Sequence, residues 1–229
     1  MKKNILLIGG SRGIGFAVAE RLQENSNLFI ASRSEVDGIP NAIHLPYDAT
    51  TDTLDISLLP DTLHGFVYCP GSINLKPFKM MSLDTFREEM ELNFFGLVKT
   101  VQHIIPIMAD GGSLVFFSTV AASKGMPFHT SIAASKGAIE GFAKSLAAEY
   151  APRLRVNVVA PSLVNTPLAG RLLNNEKKKE LMAQRHPLKR VGEAADIADL
   201  TVFLLSSQST WMSGQVIGVD GGISNLHMN

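Results

Sequence analysis

Residues 4–15 read NILLIGGSRGIG, a strand-like apolar run, Asn4–Ile8, followed at once by a turn with glycines at positions 9, 13 and 15. A helical pattern of apolar residues begins directly after the turn. Glycines at these positions allow a tight turn, close approach of the backbone to a pyrophosphate, and close packing of a helix on a strand. Strand, turn and helix follow in the required order. The stretch therefore predicts a dinucleotide site, with phosphates at the helix N-terminus, rather than a tight turn alone.

Short apolar runs rich in β-branched and aromatic residues predict six further strands. They are Leu28–Ala31, Ala42–Leu45, Gly65–Tyr68, Ser113–Phe117, Arg155–Val159 and Gln215–Val219. Apolar residues at three- and four-residue spacing predict helices at Gly13–Glu24, Thr85–Met108, Ile132–Tyr150 and Ala194–Leu205. This alternation predicts one α/β domain over residues 1–229, a doubly wound Rossmann fold with a parallel seven-stranded sheet and helices on both faces. The stretch between Asp48 and the fourth strand is too short for a full helix, so we expect thin cover there.

The composition excludes several classes of function. The 21 Lys and Arg residues balance 21 Asp and Glu residues, which gives no electrostatic footprint for nucleic acid or an anionic membrane. Cys69 is the only cysteine and no Cys and His cluster has metal-ligand spacing, so we expect no metal site and a reducing compartment. The first apolar run is too short for a signal peptide, and no stretch is long enough to span a bilayer. We expect a soluble, cytoplasmic protein.

The residues after the second predicted strand indicate which nucleotide binds. An acidic residue there would bond a ribose 2′-hydroxyl and repel a 2′-phosphate. The chain instead has Ser32 and Arg33. Although Arg33 alone could be an ordinary surface residue, together with Arg12 and Ser32 it can hold a phosphate through charge-assisted bonds. The sequence favours NADP(H) over NAD(H).

Five motifs resemble the short-chain dehydrogenase/reductase family in order and spacing along essentially the whole chain. They are the glycine turn, Asn93–Gly96, the lysine-bearing helix, Asn157–Pro161 and Gly218–Gly222. Within the family the spacing is most similar to the β-ketoacyl-carrier-protein reductase branch. The resemblance implies a homodimer or homotetramer and cofactor contacts by Gly9, Ser11, Arg12, Gly13, Ile14, Gly15, Ser32, Arg33, Asp48, Ala49, Gly71, Asn93, Lys136 and Thr166. Asp48 also suits a turn-capping role before Thr50.

The chain departs from the family pattern at Ile8, where a threonine is expected, at Tyr68-Cys69-Pro70 in place of Asn-Asn-Ala, and at Ser162 in place of a glycine. The resemblance also implies a catalytic serine, tyrosine, lysine and asparagine. Tyrosine and lysine stand four residues apart on a helix, where the ammonium can lower the pKa of the phenol. Here Lys136 is present, but four residues earlier stands Ile132, which cannot transfer a proton.

Thr119 occupies the serine position, and Asn93 matches the asparagine that positions a water relay to the lysine. Each has a structural alternative: Lys136 can simply bind ribose, Thr119 can be a strand-end hydroxyl, and Asn93 can be a satisfied polar group of a helix. His129, seven residues before Lys136, lies on nearly the same helical stripe if the helix extends that far. Its position coincides with the tyrosine of the related enoyl reductases.

Two functions stay open at this point. The first is an NADP(H)-dependent oxidoreductase that reduces a carbonyl, with a β-ketoacyl thioester as one candidate substrate and Asn93, Thr119, Lys136 and His129 as catalytic residues. The second is a catalytically inactive nucleotide-binding member of the family that acts as a sensor or as a partner subunit.

Overall fold

The computed structural model describes residues 2–227 and confirms the fold class that the sequence predicts. Its main sheet contains seven strands: β1 (Lys3–Ile8), β2 (Ser26–Ser32), β3 (Ala42–Pro46), β4 (Leu63–Tyr68), β5 (Met108–Phe117), β6 (Leu154–Pro161) and β7 (Val216–Val219). All neighbouring pairs are parallel, in the order β3-β2-β1-β4-β5-β6-β7. Each predicted strand is present. The largest difference is in β5, which begins at Met108 rather than at Ser113.

The helices of the described part are α1 (Gly13–Leu22), α2 (Leu83–Met90), α3 (Gly96–Ile104), α4 (Val120–Ser123), α5 (Thr130–Tyr150), α6 (Glu176–Gln184) and α7 (Ala194–Leu205). The prediction of one continuous helix over Thr85–Met108 is wrong. A π-helical turn at Glu91–Phe95 separates α2 from α3, and a 3-10 turn at Ile105–Ile107 follows α3. Pro106 in that turn has no N–H to continue the helical ladder, which ends the helix before the strand.

Alternate residues of β1 pack into two different hydrophobic cores, one on each face of the sheet. Leu6 and Ile8 belong to the core formed with α3 and α5, whereas Ile5 and Leu7 belong to the core formed with α1 and α7. Because both faces are covered, both sets of side chains must be apolar. This explains why the strands appear in the sequence as near-continuous apolar runs.

The cover is thin between β3 and β4, as the short connecting segment predicts. The chain forms only a 3-10 turn there, Ile56–Leu58. Ile43 on β3 is 52% exposed and Leu58 is 56% exposed. Within residues 2–227, no helix has the length and apolar character that a membrane crossing requires.

The strand order reverses between β1 and β4, which lie side by side with Ile8 in register with Tyr68. In doubly wound sheets, ligands bind in the crevice outside the carboxyl ends of the strands at such a switch point. Over the same edge, Val164–Asn165 pairs with Gly192–Glu193 in a short two-stranded ribbon. The ribbon anchors both ends of the segment that contains α6, so this segment arches over the crevice.

Candidate active site

A cavity of about 420 Å³ opens at the switch point; we call it the glycine-turn cavity. It brings together most of the residues predicted to contact a cofactor. These are Gly9, Ser11, Arg12, Gly13, Ile14, Gly15, Ser32, Arg33, Asp48, Ala49, Gly71 and Thr166. They come from the turn after β1, the end of β2, the segment after β3, the end of β4 and the loop after β6. The fold thus gathers at one edge residues that are distant in the sequence.

The glycine turn has the shape that a pyrophosphate requires. Gly9 has a φ of +79°, a conformation that side chains disfavour. A Cβ at position 15 would lie 2.5 Å from the Gly9 carbonyl oxygen, so only glycine allows the helix to pack this closely. Arg12 precedes α1 without a side-chain capping bond, which leaves the first N–H groups of the helix to an anion. The residues fit the phosphates of a dinucleotide.

The far end of this cavity carries the residues predicted to distinguish the two nucleotides. The side chain of Arg33 is 79% exposed, and its Nη1 lies 3.9 Å from the nearest carboxylate oxygen of Asp48. The Ser32 hydroxyl donates to the Ser34 carbonyl at 2.8 Å, so its proton is already engaged. Asp48 accepts bonds from the hydroxyl and the N–H of Thr50 at 2.7 and 2.9 Å, which lower the pKa of its carboxyl. Asp48 therefore has the predicted turn-capping role and also lines the cavity.

A second cavity of about 280 Å³, which we call the apolar cavity, adjoins the first at Cys69 and Gly71. Its wall combines three predicted catalytic residues, Thr119, His129 and Lys136, with Ile132. Most of the remaining lining is apolar: Ile14, Ile73, Leu75, Phe117, Val120, Met126, Leu163, Leu168, Leu172, Met182 and Ile223. A few polar groups thus line a mostly apolar space that suits an apolar substrate.

Lys136 projects from α5 to the junction of the two cavities. It is 7% exposed, and burial lowers the pKa of its ammonium to about 8, although Glu89 and Cys69 act in the opposite direction. A Cβ at position 71 would lie 3.6 Å from Lys136 Nζ and 3.4 Å from Asn93 Oδ1. The lysine and the asparagine therefore converge on Gly71.

Asn93 is fully buried behind Gly71 on the π-helical turn and lines neither cavity itself. Its amide donates to the carbonyl of Glu89 at 2.9 Å, to Glu89 Oε2 at 3.0 Å and to Ser72 Oγ at 3.2 Å. Its Oδ1 has no hydrogen-bond partner among residues 2–227. A buried oxygen left unsatisfied is costly, so a water or ligand group beside Lys136 would stabilise the site. The alternative interpretation, in which Asn93 is a helix residue with all its hydrogen bonds made, therefore fits its amide nitrogen but not its amide oxygen.

Thr119 directly precedes α4, and His129 directly precedes α5. The Thr119 hydroxyl accepts the Ala121 N–H at 3.3 Å and so caps α4, as a strand-end hydroxyl can. The helix α5 begins at Thr130, one residue after His129, whose Nδ1 lies 2.7 Å from the Pro127 carbonyl oxygen. His129 therefore stands at the start of the helix and still shares a cavity wall with Lys136.

Known proteins resemble the chain over nearly its whole length. The family model described as enoyl-(acyl carrier protein) reductase matches residues 47–224. A 3-oxoacyl-[acyl-carrier-protein] reductase of Thermotoga maritima is 39% identical over 244 residues, which cover 96% of this chain and 97% of the relative. The chain belongs to the short-chain dehydrogenase/reductase family.

Other relatives in the short-chain dehydrogenase/reductase family have different names. A tropinone reductase homologue of Arabidopsis thaliana is 31% identical, with coverage of 96% of this chain and 92% of the relative. The ligand-free aldohexose dehydrogenase of Thermoplasma acidophilum is 28% identical, with a TM-score of 0.90 and coverage of 100% of this chain and 97% of that structure. Members of the family bind nicotinamide cofactors, act on small molecules and are typically oligomeric. The two adjoining cavities are consistent with oxidoreductase chemistry of this kind.

The sequence analysis does not identify Glu89, a buried carboxylate in the candidate active site of this chain. Glu89 is 1% exposed and accepts bonds from Ser72 Oγ at 2.7 Å and from Asn74 Nδ2 at 2.9 Å, in addition to the bond from Asn93. Within the helix that the sequence predicts over Thr85–Met108, the spacing of four residues between Glu89 and Asn93 is a signal that could have identified it.

Sequence reasoning also missed a serine and histidine pair in the wall of the apolar cavity. Ser162 Oγ and His186 Nε2 lie 2.9 Å apart, and both residues line this cavity. In the sequence, Ser162 stands out only as a departure from the family pattern. His186 gives no signal in the sequence, because it lies 24 residues further along in a variable segment.

Proposed function

We propose that this short-chain dehydrogenase/reductase is an NADP(H)-dependent oxidoreductase that reduces a carbonyl group, with Ile132 in the place of the catalytic tyrosine. The observation that carries the proposal is the convergence of Lys136 and Asn93 on Gly71, where the glycine-turn cavity meets the apolar cavity. A nucleotide along the first cavity and a substrate in the second would meet at this junction. The whole site lies on one domain over residues 1–229.

Support for NADP(H) comes from the end of β2. No carboxylate follows this strand directly, and Arg33 offers a largely exposed guanidinium there. Arg12, also exposed, lines the same cavity from the glycine turn. Two guanidinium groups with free donors can hold a 2′-phosphate through charge-assisted hydrogen bonds.

The residues around the junction have distinct roles in this proposal. A bound nicotinamide supplies the hydride. Thr119 donates a hydrogen bond that polarises the substrate carbonyl. Lys136 holds the ribose and, with Asn93, a water. Since Ile132 cannot transfer a proton, the proton comes from another group. His129, directly before α5, and the water held by Lys136 are two candidates.

A β-ketoacyl thioester is the substrate class that we propose first. The apolar lining suits an acyl chain, and the relative from Thermotoga maritima is named as a reductase of 3-oxoacyl carriers. The enzyme would act in the cytoplasm as a homodimer or homotetramer. Phe142–Tyr150 and Trp211–Val219 are the surfaces that we propose for assembly, and Trp211 is 99% exposed in the single chain.

A second candidate function is favoured by the burial of Ile132. This side chain is only 6% exposed and fills part of the wall four residues before Lys136. A protein that binds NADP(H) without turnover would use the same pocket as a sensor or as a partner subunit.

Turnover assays separate the two functions. Purified protein is mixed with NADPH and ethyl acetoacetate, an acetoacetyl thioester of N-acetylcysteamine or a crotonyl thioester, and the loss of NADPH absorbance is followed. The oxidoreductase proposal expects consumption of NADPH with at least one of the β-keto compounds and a large loss of rate in Lys136→Ala. Binding of NADPH without consumption with any of the three would favour the inactive member instead. Activity that His129→Ala abolishes would identify His129 as the proton donor.

A further inference from the structure

We infer that Ser162 and His186 form a proton-transfer pair of the apolar cavity, in which Ser162 contacts the substrate oxygen and His186 positions and reprotonates Ser162. The inference rests on the proposed function, because the pair supplies the proton that carbonyl reduction needs and that Ile132 cannot provide. It differs from the family pattern, in which a glycine stands at position 162.

The hydrogen bonds of His186 fix its tautomer. Nδ1 lies 2.9 Å from the carbonyl oxygen of Met182, which can only accept, so Nδ1 carries a proton. In the neutral ring Nε2 is then an acceptor, and it takes the hydroxyl proton of Ser162 at 2.9 Å. His186 is 4% exposed, so packing holds this orientation.

The pair lies at the same edge of the sheet as the other polar groups of the cavity. Ser162 directly follows β6, and its N–H donates to the Val219 carbonyl at 3.3 Å. The neighbouring strand β5 is in register with β6, with Phe117 opposite Val159. Thr119, two residues beyond Phe117, and Ser162, three beyond Val159, therefore come at nearly the same level.

His186 is better placed for this role than His129. Both bond Nδ1 to a carbonyl oxygen, but His129 is only partly buried and precedes the first residue of α5. His186 has its second nitrogen on a hydroxyl that lines the cavity. A hydroxyl backed by an imidazole is the arrangement that transfers protons to and from a substrate oxygen.

Charged side chains lie on several of the elements around His186. Asp220, after β7, is near enough to His186 to interact with it electrostatically. Desolvation acts to raise the pKa of the Asp220 carboxyl, but bonds from Ser224 and Gly222 outweigh it and hold that pKa low. Arg185 and Lys189 flank His186 on its own segment. On the far side, Arg190 and Asp196 bond each other at 2.6 Å and so neutralise each other.

In the reductive direction the substrate carbon receives a hydride from NADPH while its oxygen takes the Ser162 hydroxyl proton. The Ser162 oxygen is reprotonated at the same time from Nε2 of the His186 imidazolium, which becomes neutral imidazole and is recharged from solvent. The carbonyl thus gains one hydride and one proton and becomes an alcohol, and NADPH becomes NADP⁺. Alcohol oxidation is the reverse.

The test compares Ser162→Ala, Ser162→Thr and His186→Gln with His103→Gln. His103 also bonds Nδ1 to a carbonyl four residues earlier, Lys99 at 2.7 Å, but it lies outside the lining of the apolar cavity. Three quantities are measured: kcat and KM with NADPH and ethyl acetoacetate, NADPH affinity by calorimetry, and the ¹⁵N shift of His186 Nε2 in the nucleotide-free protein.

We expect Ser162→Ala and His186→Gln to lower kcat roughly 100-fold with unchanged NADPH affinity, while Ser162→Thr keeps most of the activity and His103→Gln keeps all of it. The Nε2 shift of His186 should change in Ser162→Ala. If Ser162→Ala turns over like the wild type, the pair is not the proton donor, although the proposed function stands. A wild type that binds NADPH but reduces none of the β-keto probes contradicts both.

Discussion

The glycine-turn cavity and the apolar cavity adjoin at Gly71, yet they differ in how far they keep the family pattern. The first keeps the glycines at 9, 13 and 15 and an open helix N-terminus. The second keeps Lys136 but has Ile132 four residues before it. In the proposed function, binding of a nucleotide and transfer of a proton therefore depend on separate parts of the molecule. One can change while the other is retained.

The difference has a physical cause. A pyrophosphate is held by backbone N–H groups, so the requirement falls on main-chain geometry, which only a few residues at fixed places satisfy. A proton can come from any acid of suitable pKa within hydrogen-bond reach of the substrate. In the proposed function, the catalytic wall therefore tolerates replacement of the phenol, provided that another donor lines the cavity.

The largest expected effect is in the glycine-turn cavity. In Gly15→Ala the new Cβ would meet the Gly9 carbonyl at 2.5 Å, so the turn must open and the phosphate site is lost. We expect NADPH affinity to fall by about 100-fold or more, measured by calorimetry. Gly125→Ala is the control, because its Cβ would meet nothing within 4 Å. Equal affinities in the two variants would show that the turn does not hold the nucleotide.

The second prediction concerns how much burial of the Lys136 ammonium lowers the free energy of unfolding. The pKa of Lys136 falls from its ordinary value of 10.5 to about 8, mainly through desolvation. Between these values the unfolded chain binds the proton and the folded chain does not, so stability rises with pH across this window. At lower pH the full cost of burying the ammonium is present.

Lys136→Met removes this titration. We expect the variant to exceed the wild type in unfolding free energy near neutral pH, and the gap to shrink by up to about 3 kcal/mol as pH rises from about 8 to about 10.5. Urea unfolding of both proteins across this pH range measures the gap. Groups that titrate equally in both proteins drop out of the difference. A gap that does not change with pH would contradict a buried, depressed lysine. In Glu89→Gln the midpoint should move to lower pH, because Glu89 raises the pKa of Lys136.

The third prediction concerns proton transfer in the apolar cavity. Ile132→Tyr places a phenol four residues before Lys136, facing the apolar cavity, so kcat should rise by at least about tenfold. Ile132→Phe, which adds the ring without the hydroxyl, should give no rise, and NADPH affinity should change little in either. Steady-state kinetics with ethyl acetoacetate measure the effect. A rise in both variants would mean that ring packing, rather than proton transfer, limits the rate.

The smallest expected effect concerns the choice of nucleotide. Arg33→Ala should weaken NADPH binding about tenfold, the size of one charge-assisted contact at an exposed site, and leave NADH binding unchanged. Arg87→Ala, at an exposed pair with Asp84 on α2, is the matched control. Calorimetry with both nucleotides decides; an equal loss for NADH would remove the 2′-phosphate from the explanation.

Much of the fold could be predicted because its signals are local. The seven strands follow from apolar runs, and α7 has the predicted bounds, Ala194–Leu205. The break in the helix over Thr85–Met108 could not be predicted from periodicity, because a single π-helical turn of five residues, Glu91–Phe95, is too short to alter the spacing of the apolar residues visibly. That turn carries Asn93, so the missed irregularity lies at the site itself.

The candidate site could be predicted where a motif fixes several residues at once, as in the glycine turn. The site could not be predicted where single residues from distant segments of the chain come together. The role of His186 becomes visible only when the segment after β6 folds back onto Ser162. Such pairs are created by tertiary packing, which no spacing in the sequence encodes.

The central claim is that a nicotinamide nucleotide binds across the carboxyl edge of the sheet while the wall beside it lacks the usual phenol. Titration of the wild-type protein with NADPH and with NADH by calorimetry tests it most directly. The account predicts binding of NADPH, with NADH at least about tenfold weaker. Absence of heat and of binding with both nucleotides would contradict it.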